Sequence, residues 1–91
     1  MIDTNILQKA IDKWGEVSQI EMIEEEAIEL ALALQKYKRT NTDPIKGMEN
    51  IYDELADMKI MLAQAELLFD PDKNSRVEFK MNRLSKILVN N

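Results

Sequence analysis

The chain has 91 residues, a formal net charge of −5, and neither cysteine nor histidine. The acidic balance argues against binding nucleic acid or an anionic membrane through bulk charge. The missing residue types exclude disulfides, thiolate chemistry and histidine ligands. With no signal peptide or membrane span visible, we expect one intracellular, cytoplasmic domain over residues 1–91. Only two glycines and two prolines interrupt a composition rich in Leu, Ile, Ala, Glu and Lys, which predicts an all-α fold.

The first two predicted helices are separated by a glycine. Asp3 or Thr4 caps the first helix, whose apolar residues follow three- and four-residue spacing, and Gly15 ends it. A second helix is expected from the capping box at Ser18, or from one turn earlier, to about Lys38. Basic residues in its last turn suit the negative end of a helix dipole.

Two more helices are predicted after a polar turn at residues 40–43, whose last residue is an aspartate that can serve as an N-cap. Pro44 opens the third helix, because proline is tolerated at the first helical position, and this helix runs to about Phe69. A second turn at residues 70–74 leads into a fourth helix from the capping box at Ser75. The short connections predict antiparallel neighbours.

We expect helices two and three to form a central antiparallel hairpin, with helices one and four packed against it. Residues 27–34 and 60–68 are apolar on nearly every side. A helix that is apolar all round needs partners all round, and helices one and four cannot cover both runs. The sequence therefore predicts a helical-bundle dimer or tetramer.

Two acidic pairs, each spaced by one helical turn, flank the first turn: Glu26 with Glu29, and Glu54 with Asp57. In an antiparallel hairpin Glu29 meets Glu54 and Glu26 meets Asp57, which makes a ring of four carboxylates. Such a ring repels itself unless a divalent cation neutralises it. Oxygen-only ligands select a hard cation such as Mg²⁺ or Mn²⁺, and a site of this kind suits phosphate chemistry.

The acidic residues form the motif Glu25-Glu26-x-x-Glu29, which is followed after 24 residues by Glu54-x-x-Asp57. They resemble the MazG-type signature of the all-α nucleoside triphosphate pyrophosphatases. The resemblance covers residues 14–84 and implies a four-helix MazG-like domain. It implies hydrolysis of a nucleoside triphosphate to the monophosphate and pyrophosphate, with Mg²⁺ as cofactor and Mn²⁺ as a substitute. By the same resemblance, Glu26, Glu29, Glu54 and Asp57 are the metal ligands, and Glu25 is a catalytic residue that orients the attacking water or binds a second metal.

Five further residues are candidates around this signature. Asp53 is expected beside the metal ligands. Trp14 stacks on a nucleobase or anchors helices one and two, and Gln19 is a candidate for hydrogen bonding to a base. Lys80 and Arg83, one turn apart, are expected to contact the triphosphate. Two alternatives stay open: a non-catalytic helical interaction or regulatory protein that keeps the fold, and a phosphoribosyl-ATP pyrophosphatase-like enzyme.

Overall fold

The computed structural model describes residues 1–39, 43–69 and 73–89. Within these residues there are four helices and no strand, so the all-α prediction is confirmed: α1 is Thr4–Trp14, α2 is Glu16–Arg39, α3 is Pro44–Phe69 and α4 is Lys73–Val89. α2 takes the earlier of its two predicted starts, and α4 begins two residues before the predicted one, within the usual variation of helix ends. Residues 40–42 and 70–72 of the predicted turns lie outside the described residues.

Local signals account for the helix ends. Asp3 Oδ1 accepts a hydrogen bond from Asn5 N at 2.9 Å, and Asp43 Oδ1 accepts one from Lys46 N at 3.1 Å. Both aspartates therefore cap a helix N-terminus. Gly15 ends α1 with a φ of 90°, a left-handed conformation that glycine adopts without a Cβ clash. Since Gly15 alone separates α1 from α2, the chain changes direction within one residue.

The centre of the fold is the predicted antiparallel hairpin of α2 and α3, with α1 packed against both helices. Gln64 Nε2 donates a hydrogen bond to Gln19 Oε1 at 2.8 Å and another to the Leu7 carbonyl oxygen at 3.1 Å. The two glutamines are only 0% and 2% exposed, so α1, α2 and α3 are joined by a buried polar contact. The buried apolar residues in the described part of the chain are Leu7, Ala33 and Met61.

α4 differs from the prediction. It packs against none of the other three helices within the described residues, and its side chains from residue 75 to residue 89 are all exposed. The prediction that helix four packs on the hairpin is therefore wrong for the single chain. The apolar spacing of Val77, Met81, Leu84 and Ile87 indicates that this face needs a partner, but spacing does not say which helix supplies it.

The isolated chain is more open than a compact domain of its size. Its radius of gyration is 16.4 Å, compared with about 12 Å for a compact chain of this length. Its accessible surface is 7738 Å², compared with roughly 5,500 Å² for a compact monomer of this mass. Much apolar surface is therefore uncovered in one protomer.

Candidate metal centre

Three carboxylates converge on the hairpin. Glu26 of α2 and both Glu54 and Asp57 of α3 offer oxygen atoms that all lie within 4.8 Å of one another. The register of the hairpin explains this, because Glu26 and Asp57 stand at the same height on opposite helices. Glu54 lies one turn from Asp57 on the same face of α3. Two helices thus contribute to one acidic cluster.

The cluster is electrostatically strained without a cation. Oε2 of Glu54 is buried and has no hydrogen-bond partner among the described residues. Desolvation by burial, and after it the charge of Glu29, raises the pKa of Glu54 above its ordinary value of 4.5. Desolvation also raises the pKa of Glu26, and the charge of Asp57 is the next largest cause. Both glutamates therefore hold their protons more tightly than a free side chain does.

The donor set fits a hard divalent cation. All three groups are carboxylates, which Mg²⁺ and Mn²⁺ accept as ligands. A buried oxygen without a donor, such as Oε2 of Glu54, is unfavourable unless a positive charge or a hydrogen bond satisfies it. Three protein ligands would leave other coordination positions of such a cation to water and phosphate oxygens.

The other acidic residues predicted for the site, Glu29, Glu25 and Asp53, are near these three in their electrostatic effect. Glu29 is exposed and is not one of the converging groups, although its charge acts on both Glu26 and Glu54. Glu25 is exposed and acts on Glu26, and Asp53 is exposed and acts on Glu54. The structure thus brings together three of the four predicted metal ligands, with the fourth close enough to influence them.

The four predicted substrate-binding residues are not brought to the cluster. Gln19 is 2% exposed and is tied to the other buried glutamine, so its amide offers no surface to a ligand. Trp14 is 57% exposed, with Lys13 Nζ 5.5 Å from the ring centroid, and is therefore not a core anchor. Lys80 and Arg83 lie on α4, which does not pack on α2 or α3 in the described part of the chain.

Sequence reasoning missed a groove between α2 and α3 that lies closer than the cluster to the α2–α3 connection. The signal for it was helix spacing: Ala33 lies one turn after Glu29, and Asn50 lies one turn before Glu54, on the same faces. The groove has a volume of about 350 Å³ and is lined by Ala33, Lys36, Tyr37, Asp43, Lys46, Gly47 and Asn50.

The chain matches no protein-family model, no curated protein and no solved structure. The resemblance to the MazG-type signature therefore rests on the acidic residues and their spacing. Among the described residues, no helix combines the length and the apolar character that crossing a bilayer requires.

Proposed function

We propose that this protein is a Mg²⁺-dependent nucleoside triphosphate pyrophosphohydrolase whose metal centre is built on Glu26, Glu54 and Asp57. The observation that supports this proposal is the convergence of three carboxylate oxygens within 4.8 Å on two helices. The buried, unpartnered Oε2 of Glu54 adds to it, since such an atom suits a cation. The acidic signature and its resemblance to the all-α nucleoside triphosphate pyrophosphatases suggest the reaction.

Each acidic residue has a role in this proposal. Glu26, Glu54 and Asp57 would hold the cation, and the adjacent Glu29 would be the fourth ligand that the resemblance implies. Bound Mg²⁺ supplies neutralisation of phosphate charge and a lowered pKa for a water ligand. Glu25 orients the attacking water and accepts its proton.

The proposed reaction is hydrolysis of the bond between the α- and β-phosphates. The water oxygen bonds to the α-phosphorus, and the bond from that phosphorus to the oxygen shared with the β-phosphorus breaks. The bonding electron pair leaves with pyrophosphate, and the nucleoside monophosphate keeps the new oxygen.

We also propose that the protein forms a homo-oligomer, either a dimer or a tetramer. The accessible surface of 7738 Å² exceeds that of a compact monomer by about 2,200 Å². Each partner of an obligate dimer buries about 1,000–2,500 Å², so the excess is of the right size. Ile28 and Leu32 on α2 are each 60% exposed, and residues 75–89 of α4 are exposed, with no contact to the other described helices. Light scattering should give a mass above the 10.6 kDa of one chain; that monomer mass at every concentration would contradict this part.

The activity is tested by measuring pyrophosphate release from the eight common ribo- and deoxyribonucleoside triphosphates with Mg²⁺. We expect at least one substrate to be hydrolysed by the wild type and not by Glu54→Gln, which removes the carboxylate charge and keeps the shape of the side chain. Glu21→Gln is the matched control, because Glu21 is an exposed carboxylate of α2 outside the cluster. Failure of the wild type on all eight, or full activity of Glu54→Gln, would refute the proposal.

A further inference from the structure

The groove beside the carboxylate cluster has side chains of the opposite charge. Lys36 and Tyr37 line it from α2, and Lys46 and Asn50 line it from α3. Ala33, only 5% exposed, contributes a buried methyl group between these polar residues. A cleft of about 350 Å³ with two ammonium groups is a surface on which an anion can settle.

Helix geometry places groove residues on the same side of α3 as Glu54 of the cluster. Asn50 precedes Glu54 by four residues and Lys46 precedes it by eight, so all three lie along the same side of α3. At 1.5 Å per residue, Asn50 is about 6 Å and Lys46 about 12 Å from Glu54 along the helix axis. A triphosphate that has one phosphate at the cluster and extends along α3 would therefore approach Asn50 first, with Lys46 one turn further on.

The acidic residue in the groove wall does not cancel this character. Oδ1 of Asp43 accepts the hydrogen bond from Lys46 N at 3.1 Å, so this carboxylate is directed at the N-terminus of α3. The positive end of the α3 dipole faces this carboxylate and offsets part of its charge. With two lysines and one capping aspartate, the described lining of the groove is net positive on a chain whose net charge is −5.

Gly47 gives the groove its shape on the α3 side. A Cβ atom at this position would stand 3.2 Å from Cδ1 of Tyr37, closer than ordinary van der Waals contact. The absent side chain therefore lets the tyrosine ring lie against the α3 backbone, where it forms a wall of the groove.

We propose that the groove formed by Lys36, Lys46 and Asn50 binds the pyrophosphate portion of the substrate. This inference rests on the proposed function. It orients the bound substrate so that the leaving phosphates lie towards the α2–α3 connection. The departing pyrophosphate gains negative charge that the acidic cluster cannot stabilise, whereas two ammonium groups and an amide can. Towards the other end of the hairpin, the Gln64 amide is buried and already donates to Gln19 and to the Leu7 carbonyl oxygen, so it is not available to a phosphate.

Inorganic pyrophosphate is the probe, because as the reaction product it binds without being consumed. Calorimetric titration with Mg²⁺ should show Lys36→Gln and Lys46→Gln each weakening pyrophosphate binding by about tenfold or more, the usual effect of losing a charged hydrogen bond. Lys59→Gln is the control and should bind as the wild type does, because Lys59 is an exposed α3 lysine that lines a separate groove beside α1. In the wild type, pyrophosphate should also shift the amide resonances of Gly47 and Asn50.

A parallel Mn²⁺ titration without pyrophosphate reports on the metal centre separately. Unchanged pyrophosphate affinity in both groove variants would overturn the groove assignment and leave the metal centre intact. A wild type that binds Mn²⁺ but no pyrophosphate would overturn it equally. A wild type that binds neither would overturn the groove and contradict the proposed function as well.

Discussion

The side chains of Gln19 and Gln64, 45 positions apart in the chain, meet in a 2.8 Å hydrogen bond from Gln64 Nε2 to Gln19 Oε1. This pair is centred on the same point of the chain as Glu26 and Asp57, between residues 41 and 42. One register of the α2–α3 hairpin therefore positions both the buried amides and the acidic cluster. Disturbing the amides is a way to test whether that register stabilises the fold.

Gln64→Leu should lower the free energy of unfolding by about 1–3 kcal/mol, because the buried Gln19 Oε1 and the Leu7 carbonyl lose their donor. Adding Gln19→Leu should recover part of the loss, since removing both partners also removes an unsatisfied oxygen. Oε1 of Gln64 already lacks a partner among the described residues. Urea denaturation at one protomer concentration measures all three proteins, and strictly additive losses in the double variant would argue against the coupling.

Without metal, the protein should lose stability as pH rises through the range in which the cluster ionises. The pKa values of Glu26 and Glu54 are raised above 4.5, so the folded state binds protons more tightly than the unfolded state. The free energy of unfolding then falls from about pH 4.5 upwards and levels off above the raised values. Below that range both states are protonated and these groups contribute nothing.

The variant Glu54→Gln tests how much the cluster contributes to this pH dependence of stability. In thermal melts with a chelator, its stability should fall less with pH than that of the wild type, while Glu49→Gln, at an exposed α3 position outside the cluster, should follow the wild type. Parallel pH curves for the wild type and Glu54→Gln would show that the cluster does not oppose folding.

Millimolar Mg²⁺ or Mn²⁺ should raise the melting temperature at neutral pH, because a cation that binds only the folded cluster stabilises it by mass action. The gain is about 2.7 kcal/mol at a concentration of one hundred times Kd. Glu54→Gln should show little of it, since Glu54 is one of the three converging ligands. The same rise in both proteins would place cation binding elsewhere.

Glu29→Gln should reduce hydrolysis by on the order of a hundredfold or more, if Glu29 joins the cation as the resemblance implies. Because Glu29 is exposed, the fold should be retained. The metal-free melt should stay level or rise, since one charge that acts on Glu54 is gone. Steady-state kinetics and metal-free melts of the same preparation separate the two effects, and near wild-type turnover would limit the centre to three ligands.

The substitution Gly47→Ala has two opposing effects on stability, a higher helix propensity and a steric contact with Tyr37. Alanine should favour α3 by about 0.5–1 kcal/mol, but its Cβ would stand 3.2 Å from the Tyr37 ring. We expect almost no net change in the wild-type background and the full gain when Tyr37 is replaced by Ala. Urea denaturation of the four proteins of this cycle measures the coupling, and an equal gain in both backgrounds would show that the ring yields without strain.

The sequence by itself determined the helices and the hairpin register. Asp3, Gly15 and Asp43 act through caps and a left-handed backbone conformation, which depend only on near neighbours in the chain. The register followed from spacing, because two antiparallel helices around one turn must pair residues equidistant from it. The spacing alone therefore predicts that Glu26 and Asp57 meet across the hairpin.

Only the tertiary structure decided which of those side chains are available for binding. Gln19 was predicted to bind substrate but is buried against Gln64, Glu29 stands outside the three converging carboxylates, and α4 stands apart from its own hairpin. Spacing identifies which residues share a face of a helix, but the burial of that face depends on every other helix that packs nearby. For α4 in particular, the apolar residues are evident from the sequence. Their exposure follows from the fact that α4 does not pack on the other described helices.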